Sequence, residues 1–291
     1  MKLSIMLTDF ILAHELFVRL TAFTFTLMAM VIWEQVAPRR NTVSQRLVRR
    51  RNHLALLLID VTVARILFPA AAVGFAIFAE ARDMGLLRML ELPVWIAITA
   101  SIVLLDFAIY LQHLVFHAVP LFWRLHQVHH ADNDFDVTTG VRFHPLEILL
   151  SMGIKFLIIV TLGPPVVAVL IFETLLNITA MFNHSNIALP GRLDKALRTL
   201  LVTPDMHRIH HSIERAETDS NYGFCFSVWD RLLGTFREVP ALGQTAMIVG
   251  VAEFCEPEQV VSLRGMLTIP FRRNNRHDPA APRSPKAIQI M

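Results

Sequence analysis

Histidines in this chain are concentrated in three short stretches whose spacing suits metal binding. They read HLVFH at 113–117, HQVHH at 126–130 and HRIHH at 207–211. Residues three or four apart on an α-helix share a face, so each stretch aims two or three imidazoles in one direction. Because imidazole is mostly uncharged at neutral pH, a convergent set of this kind binds transition metals. The predicted ligands are His113, His117, His126, His129, His130, His207, His210 and His211.

The choice of ion depends on where such a site would lie. Imidazole suits zinc, copper, iron and nickel, and the three stretches contain no carboxylate that would narrow the choice. The surrounding chain is apolar enough to place the site beside a bilayer, where lipids offer unactivated C–H bonds. Breaking those bonds requires redox chemistry with O2, which zinc does not perform. Iron is therefore the expected metal.

Long apolar blocks indicate an integral membrane protein. The chain has 291 residues, of which 54% are hydrophobic and 18% charged, and a membrane-spanning helix needs about 20 apolar residues. Such blocks occupy 16–36, 54–79, 93–114 and 146–182. Proline removes a helix hydrogen bond, so LGPP at 162–165 should break the last block into a hairpin. The predicted fold is all-α: a bundle of three transmembrane helices and a proline-broken helical hairpin, with a cytoplasmic helical cap that carries the histidines.

Arginines in the loops predict the orientation of these helices. Loop 37–53 carries six arginines and no acid, whereas loop 80–91 carries two arginines and three acids. Cytoplasmic loops are enriched in Lys and Arg, so we expect the first loop, the histidine stretches and the C-terminus to be cytoplasmic and the N-terminus to lie outside. Loop 37–53 could instead dock an acidic electron donor, but a role in topology is the interpretation that we favour.

Composition also excludes some classes of function. The net charge is +3, and the basic residues lie beside apolar blocks. They do not alternate with aromatic residues as in RNA-binding segments, so we expect no nucleic-acid partner. The two cysteines are too few for a disulfide framework or a cysteine-based zinc site.

The histidine stretches belong to a wider pattern. It includes DFAIYLQHLVFH, LFWRLHQVHHAD, VRFHPLE and VTPDMHRIHHS, followed by ETDSNYGF and WDRLLGTF. Over residues 95–240 this pattern resembles the fatty acid hydroxylase / sterol desaturase superfamily of membrane di-iron oxygenases. No membrane crossing fits between His117 and His126, which separates the pattern from acyl-CoA desaturases, whose first two histidine boxes lie further apart.

The resemblance implies a non-haem centre of two iron ions that uses O2 to hydroxylate or desaturate a lipid. Electrons would come from a separate donor, such as a cytochrome b5, a ferredoxin or a flavin reductase. The ligand role carries over to the eight histidines above. The family also draws ligands from between the second and third boxes, and His184 in FNHSN is the matching candidate. His144 in RFHP is either a further ligand, a residue behind the ligands or a helix-start residue. Asn183 stands where some members have a second histidine, which leaves the second ion's ligand set open.

Several residues near the boxes have two interpretations. Asp106 lies two helical turns before His113 and would either orient its imidazole or simply face the bundle. Asp132 and Asp205 would either accept the outer N–H of a ligand or sit at solvated helix ends. Glu173 lies inside the fourth apolar block, where an ionisable residue is a functional candidate. Three isolated histidines are expected to be bystanders: His14, His53 and His277.

The predicted function is that of an O2-dependent di-iron lipid monooxygenase acting on a fatty acyl chain or a sterol. The same centre could desaturate the lipid, and no residue in the sequence distinguishes the two reactions. A zinc-dependent hydrolase or isomerase is a further alternative, whereas a metal transporter is disfavoured because the boxes lie outside the apolar blocks. We expect N-terminal membrane helices and a basic loop over 1–92, the di-iron catalytic domain over 93–240, and an extension with a mobile basic tail over 241–291.

Overall fold

The computed structural model describes residue 10 and residues 12–41, 45–254 and 256–272. Over these ranges the secondary structure is helical, and the only extended pairings are three isolated β-bridges. This confirms the predicted all-α class. The basic tail and His277 lie outside the described residues.

Fifteen α-helices and two short 3-10 helices make up the described chain. In chain order the first eight are α1 Glu15–Val36, α2 Arg46–Leu67, α3 Ala71–Ala81, α4 Leu86–Met89, α5 Val94–Ala118, α6 Pro120–His130, α7 Pro145–Leu162 and α8 Val166–Asn183. The rest are α9 Gly191–Leu197, α10 Pro204–His210, α11 Arg215–Thr218, α12 Val228–Leu232, α13 Gly243–Ala246, α14 Pro257–Val260 and α15 Leu263–Thr268. The 3-10 helices are Val137–Val141 and Ile269–Phe271.

Five helical segments are long and apolar enough to cross a membrane. The fourth and fifth, α7 and α8, come from the apolar block that LGPP was predicted to break. The break is present: Gly163 takes the left-handed conformation (φ 62°) directly after α7, and Pro165 precedes α8. A side chain at Gly163 would place its Cβ 2.3 Å from the carbonyl oxygen of Met84, so only glycine fits this turn.

The second apolar block differs from its prediction as one helix over 54–79. Helix α2 ends at Leu67 and α3 begins at Ala71, with Pro69 between them. Proline has no backbone N–H to donate and restricts the preceding residue, here Phe68, to non-helical conformations. Helix α2 also begins at Arg46, well before the apolar block, so part of the predicted basic loop is helical.

Helix α8 lies at the centre of the bundle. It packs against α1, α3, α5 and α10, and 56% of its apolar span is buried, compared with 6–28% in the other four spans. Because α8 packs against both α5 and α10, it holds α10 close to α5. The C-terminal segment packs against α6. Its Val251, Phe254, Val260 and Met266 form a core cluster with Trp123.

The arginines of segment 37–53 bind acids of this chain. Arg49 is 3% exposed, lies 2.6 Å from Asp132 and also pairs with Asp136. The sequence interpretations of a solvated topology signal or a donor-docking loop did not include this role. These contacts attach the start of α2 to the segment that follows α6. The pairs are Arg39 with Asp205, Arg46 with Glu34, Arg49 with Asp132 and Asp136, and Arg50 with Glu34 and Asp136.

Candidate metal centre

Nine buried histidines form two adjacent groups. Within each group, one ring nitrogen from every histidine lies within 4.8 Å of the others. The five-histidine group contains His113, His117, His126, His130 and His210, and the four-histidine group contains His129, His184, His207 and His211. All nine are the residues that the sequence pattern and the resemblance proposed as ligands, and the structure brings all of them together.

Each HxxHH stretch contributes to both groups. On α6, His126 and His130 are four residues apart and face the five-histidine group, whereas His129 faces the four-histidine group. In the third stretch, His207 and His211 face the four-histidine group, whereas His210 faces the five-histidine group. The rings of His130 and His211 stack with their centroids 4.4 Å apart where the two groups meet. In each stretch the two histidines four residues apart share one group, and the histidine between them belongs to the other group.

Prolines and a cap fix where the histidine-bearing helices begin. Pro120 is the first residue of α6 and Pro204 the first of α10, the position at which proline's missing N–H has no cost. Thr203 caps α10 by accepting a hydrogen bond from the N–H of Met206 at 3.4 Å. His184 comes directly after α8, so the hairpin delivers it to the four-histidine group.

Outer ring nitrogens of four of the histidines in the five-histidine group face oxygen atoms. Nδ1 of His113 lies 2.8 Å from the carbonyl oxygen of Tyr222, and Nδ1 of His210 lies 2.8 Å from that of Ser220. A carbonyl oxygen only accepts, so Nδ1 carries the hydrogen and Nε2 keeps a lone pair directed into the group. Nδ1 of His126 lies 2.7 Å from Oε1 of Glu147, and Nδ1 of His117 lies 3.5 Å from Oδ1 of Asp219.

The four-histidine group has a different environment. His184 donates from Nδ1 to the carbonyl oxygen of Ala180 at 2.6 Å, which directs its Nε2 inward. That Nε2 lies 3.1 Å from Nε2 of His129 and 3.0 Å from Nε2 of His207. The Nδ1 atoms of His129 and His207 have no hydrogen-bond partner in the described part of the chain. Instead, the ring of His129 stacks on Phe143 at 4.6 Å.

Both groups fit transition-metal ions. Among the described residues, the buried Nε2 atoms of His113, His130 and His211 have no hydrogen-bond partner, a costly state unless a ligand occupies the group. Two imidazole nitrogens bound at right angles to one ion, each at 2.0–2.1 Å, lie about 3.0 Å apart. The spacing around Nε2 of His184 matches that value. The arrangement is suited to two ions in adjacent positions.

Burial keeps the imidazoles of the four-histidine group neutral. It lowers the pKa of His129, His207 and His211 well below the usual 6.5, and the neighbouring histidines lower it further. Burial also lowers the pKa of His184 to about 4, although its hydrogen bond to Ala180 acts in the opposite direction. A neutral imidazole is the form that binds a metal ion, so the four-histidine group is prepared for one at physiological pH.

The three flanking aspartates do not contact the histidines as one interpretation proposed. Asp106 accepts hydrogen bonds from the backbone N–H groups of Cys225 and Phe226 and from Nε1 of Trp229. It therefore anchors the segment after Tyr222, whose carbonyl meets His113. Asp132 is bound by Arg49 and by Thr139 at 2.8 Å.

Asp205 pairs with Arg39 and Arg208 and is likewise directed away from both groups. His144 caps the start of α7, where its Nδ1 accepts from the N–H of Leu146 at 3.2 Å, and it lies outside both groups, as the helix-start interpretation predicts. His53 is buried against Thr138 and Arg142, also away from the two groups.

Two acids that do meet histidines, Glu147 and Asp219, were not among the predicted site residues. Glu147 is 3% exposed and lies three residues after His144, within the quoted VRFHPLE segment. A buried acid in the first turn of an apolar helix was an available signal. Asp219 gave no such signal, because an acid in a polar stretch is expected to be solvated.

A cavity of about 290 Å³ adjoins both groups. His113 and His126 line it from the five-histidine group, and His129 lines it from the four-histidine group. Most of its remaining wall is apolar and comes from α2, α5, α7 and α8, which belong to the segments long and apolar enough to cross a membrane. The cavity therefore joins the histidines to the membrane region of the molecule.

Comparisons with known proteins agree with this geometry. Residues 98–235 match the family model described as fatty acid hydroxylase, and this range contains all nine histidines. Ornithine lipid hydroxylase OlsE of Rhizobium tropici is 30% identical over 154 residues, which cover 53% of this chain and 45% of that protein. Alkylglycerol monooxygenase of Homo sapiens is 32% identical over 132 residues, which cover 45% of this chain and 28% of that protein.

Methylsterol monooxygenase 2-1 of Arabidopsis thaliana is 26% identical over 183 residues, which cover 56% of this chain and 66% of that protein. The chain thus spans less than half the length of the first two relatives. No solved structure matches the chain.

Proposed function

Since residues 98–235 carry a fatty acid hydroxylase domain, we propose that the protein is an O2-dependent lipid monooxygenase with two iron ions held by its two histidine groups. The observation that carries the proposal is the pairing of the groups: five and four buried imidazoles lie side by side, and both groups border one cavity. Bound iron would supply O2 activation and the oxidation of a substrate C–H bond.

The protein's own residues have three tasks in this proposal. The nine histidines hold the ions, with Nε2 directed inward wherever Nδ1 donates to an oxygen. Tyr222, Ser220 and Glu147 orient His113, His210 and His126 from behind. Such contacts fix the imidazole tautomer and raise the basicity of the ligand.

The cavity wall would select and position the substrate. Leu57, Val61 and Ala64 of α2 line the cavity together with Ile109 and Phe116 of α5. Apolar side chains of this kind bury a hydrocarbon chain and exclude water, which favours a lipid over a polar metabolite. A chain in the cavity would bring one of its C–H bonds beside His113 and His129.

The relatives narrow both the reaction and the substrate. Their names describe hydroxylation or monooxygenation of ornithine lipid, alkylglycerol and methylsterol. We therefore propose hydroxylation in preference to desaturation, and a membrane lipid as the substrate. A separate protein would supply electrons, and we place the histidines and the C-terminus on the cytoplasmic side, as the arginine distribution predicts.

Mass spectrometry with isotopically labelled O2 tests the proposal. The protein, purified from membranes, is given iron, a reducing system and vesicles that contain an ornithine lipid, an alkylglycerol or a methylsterol. We expect about two iron ions per chain and a product with one labelled oxygen atom. Conversion that proceeds without O2, or with zinc in place of iron, would refute the oxygenase function.

Two variants control this experiment. His210→Ala removes a ring from the five-histidine group and should abolish turnover and reduce bound iron. His14→Ala changes an exposed histidine outside both groups and should leave both unchanged. Full iron content and turnover in His210→Ala would remove the ligand assignment.

A further inference from the structure

Two buried acids line the cavity, although most of its wall is apolar. Asp60 of α2 and Glu147 of α7 both line it and are 4% and 3% exposed. Gln112 of α5 lines it as well. All three residues belong to segments long and apolar enough to cross a membrane, and a polar side chain within such a crossing is costly and functional by default.

Four acceptor oxygens of these side chains lack a hydrogen-bond partner among the residues that the structure describes. They are both carboxyl oxygens of Asp60, Oε2 of Glu147 and Oε1 of Gln112. The other polar atoms are in use, because Glu147 Oε1 meets His126 and Gln112 Nε2 donates to Ser151 at 3.0 Å. An unmet buried acceptor costs about 1–3 kcal/mol, so this part of the cavity is built for a ligand that donates.

The lysine in the cavity wall is already paired with an acid. Lys155 lines the cavity, but its Nζ lies 2.6 Å from Oε1 of Glu173, whose other oxygen meets Arg19 at 2.5 Å. Glu173, the acid that the sequence marked within the fourth apolar block, is thereby neutralised. Asp60 has no such pairing and instead interacts electrostatically with Glu147. The unmet groups are therefore acceptor oxygens of two carboxyl groups and one amide.

We propose that Asp60 is a specificity-determining residue that binds a hydrogen-bond-donating group, a hydroxyl or an ammonium, on the lipid substrate. Calling that lipid the substrate rests on the proposed function, whereas the binding itself does not. Oε1 of Gln112 and Oε2 of Glu147 are available to a second donor on the same lipid. Lys155 is paired with Glu173 and is not available to a carboxylate, so a free fatty acid would not place its head group here.

The consequence for the reaction is a fixed position of attack. Asp60 would hold one point of the lipid, while His113, His126 and His129 mark the reacting end of the same cavity. The oxidised carbon would then lie at a set distance from the donor group, rather than from the methyl end of the chain.

Binding of three matched lipids tests the proposal. Hexadecanol, hexadecylamine and methyl hexadecyl ether are compared as competitors for labelled hexadecanol on the full chain in phosphatidylcholine vesicles, after correction for partition into protein-free vesicles. One hydrogen bond to a charged group is worth about 10-fold in affinity or more. We therefore expect the alcohol and the amine to bind about 10-fold more tightly than the ether.

Variants of Asp60 separate hydroxyl from ammonium recognition. Asp60→Leu should reduce both preferences to about 1-fold, because the acceptor is gone. Asp60→Asn keeps an acceptor of the same size without charge, so it should retain the preference for the alcohol and lose the preference for the amine. Thr62→Val alters an exposed polar residue two positions along α2 and should change nothing.

Two results would overturn the proposal: a wild-type protein without preference for a donor, or an Asp60→Leu variant that keeps the preference. Circular dichroism of each variant verifies folding, and the near-isosteric Asp60→Asn provides the second measurement if Asp60→Leu does not fold. The same titrations on metal-free protein keep the two proposals apart. If turnover with O2 fails but the Asp60-dependent preference persists, only the oxygenase function is lost.

Discussion

The two histidine groups use one residue type but are held in place by different interactions. In the five-histidine group, His113, His117, His126 and His210 each have an oxygen opposite the outer nitrogen. In the four-histidine group, His184 has such a partner, whereas the outer nitrogens of His129 and His207 have none in the described chain.

Aromatic rings lie beside both groups, but in the four-histidine group one of them stacks on a histidine whose outer nitrogen has no hydrogen-bond partner in the described chain. Phe143 stacks on His129, and Phe135 lies 5.7 Å from the ring of His184. Oxygen partners strengthen an imidazole ligand, and an apolar surrounding weakens solvent access without adding basicity. The five-histidine group should therefore bind its ion more tightly, and the four-histidine group should hold the more exchangeable one.

Removing one ligand from each group should give the largest effect and breaks the comparison most directly. Both His113→Ala and His184→Ala should abolish turnover, because the proposed reaction needs both ions. Only His184→Ala should retain about one tightly bound iron per chain. Metal analysis after dialysis against a chelator measures this, and equal loss of iron in both variants would mean that the groups do not differ.

Loss of the carboxylate behind His126 should come next in size. Glu147→Ala removes the oxygen that faces Nδ1, and changes of this kind cost about 10–100-fold in metal affinity. Glu147→Gln keeps a carbonyl acceptor and should lose less. Competition with a chelator reports the affinity, and a loss confined to the four-histidine ion would reverse our assignment of Glu147 to the other group.

Acid should destabilise the metal-free protein through the four-histidine group. The folded-state pKa values of its histidines lie below the unfolded value of 6.5, and that of His184 is lowered to about 4. As pH falls below 6.5 the unfolded chain takes up protons that the folded chain cannot, so each such histidine should cost about 1.4 kcal/mol of stability per pH unit. Melting temperature in detergent between pH 7 and about 4 measures this, and a flat profile would contradict neutral burial.

Aromatic packing should have the smallest effect and sharpens the comparison. Phe143→Leu keeps an apolar side chain but removes the ring stacked on His129, an interaction worth about 0.5–1.5 kcal/mol. We expect less than about 10-fold weaker binding of the exchangeable ion and no change in the other. A larger effect on the five-histidine ion would show that Phe143 acts beyond His129.

Local patterns predicted eight of the nine clustered histidines, because those eight stand at helical spacing within their stretches, whereas His184 came from the resemblance. The HxxHH stretches and LGPP are properties of a few neighbouring residues. The partners behind the ligands depend on residues that meet only in the folded chain. Tyr222 and Ser220 contribute backbone carbonyls, which carry no residue-type signal at all.

Charge patterns were more difficult to interpret than histidine patterns. A run of arginines is usually solvated, but Arg49 is buried by acids more than 80 positions along the chain. Asp106, Asp132 and Asp205 were correctly noted as near the boxes, yet each binds a backbone group or a cation elsewhere. Proximity in sequence identifies neither the direction of a side chain nor its partner.

The division of each HxxHH stretch between the two groups would constrain the distance between two bound ions. His129 and His130 are consecutive residues of α6, and His210 and His211 are consecutive at the end of α10. Peptide bonds within the two stretches, and not helix packing alone, would therefore limit the spacing of two bound ions. When bilayer thickness or temperature shifts one helix against another, the pair should translate as a unit without being stretched.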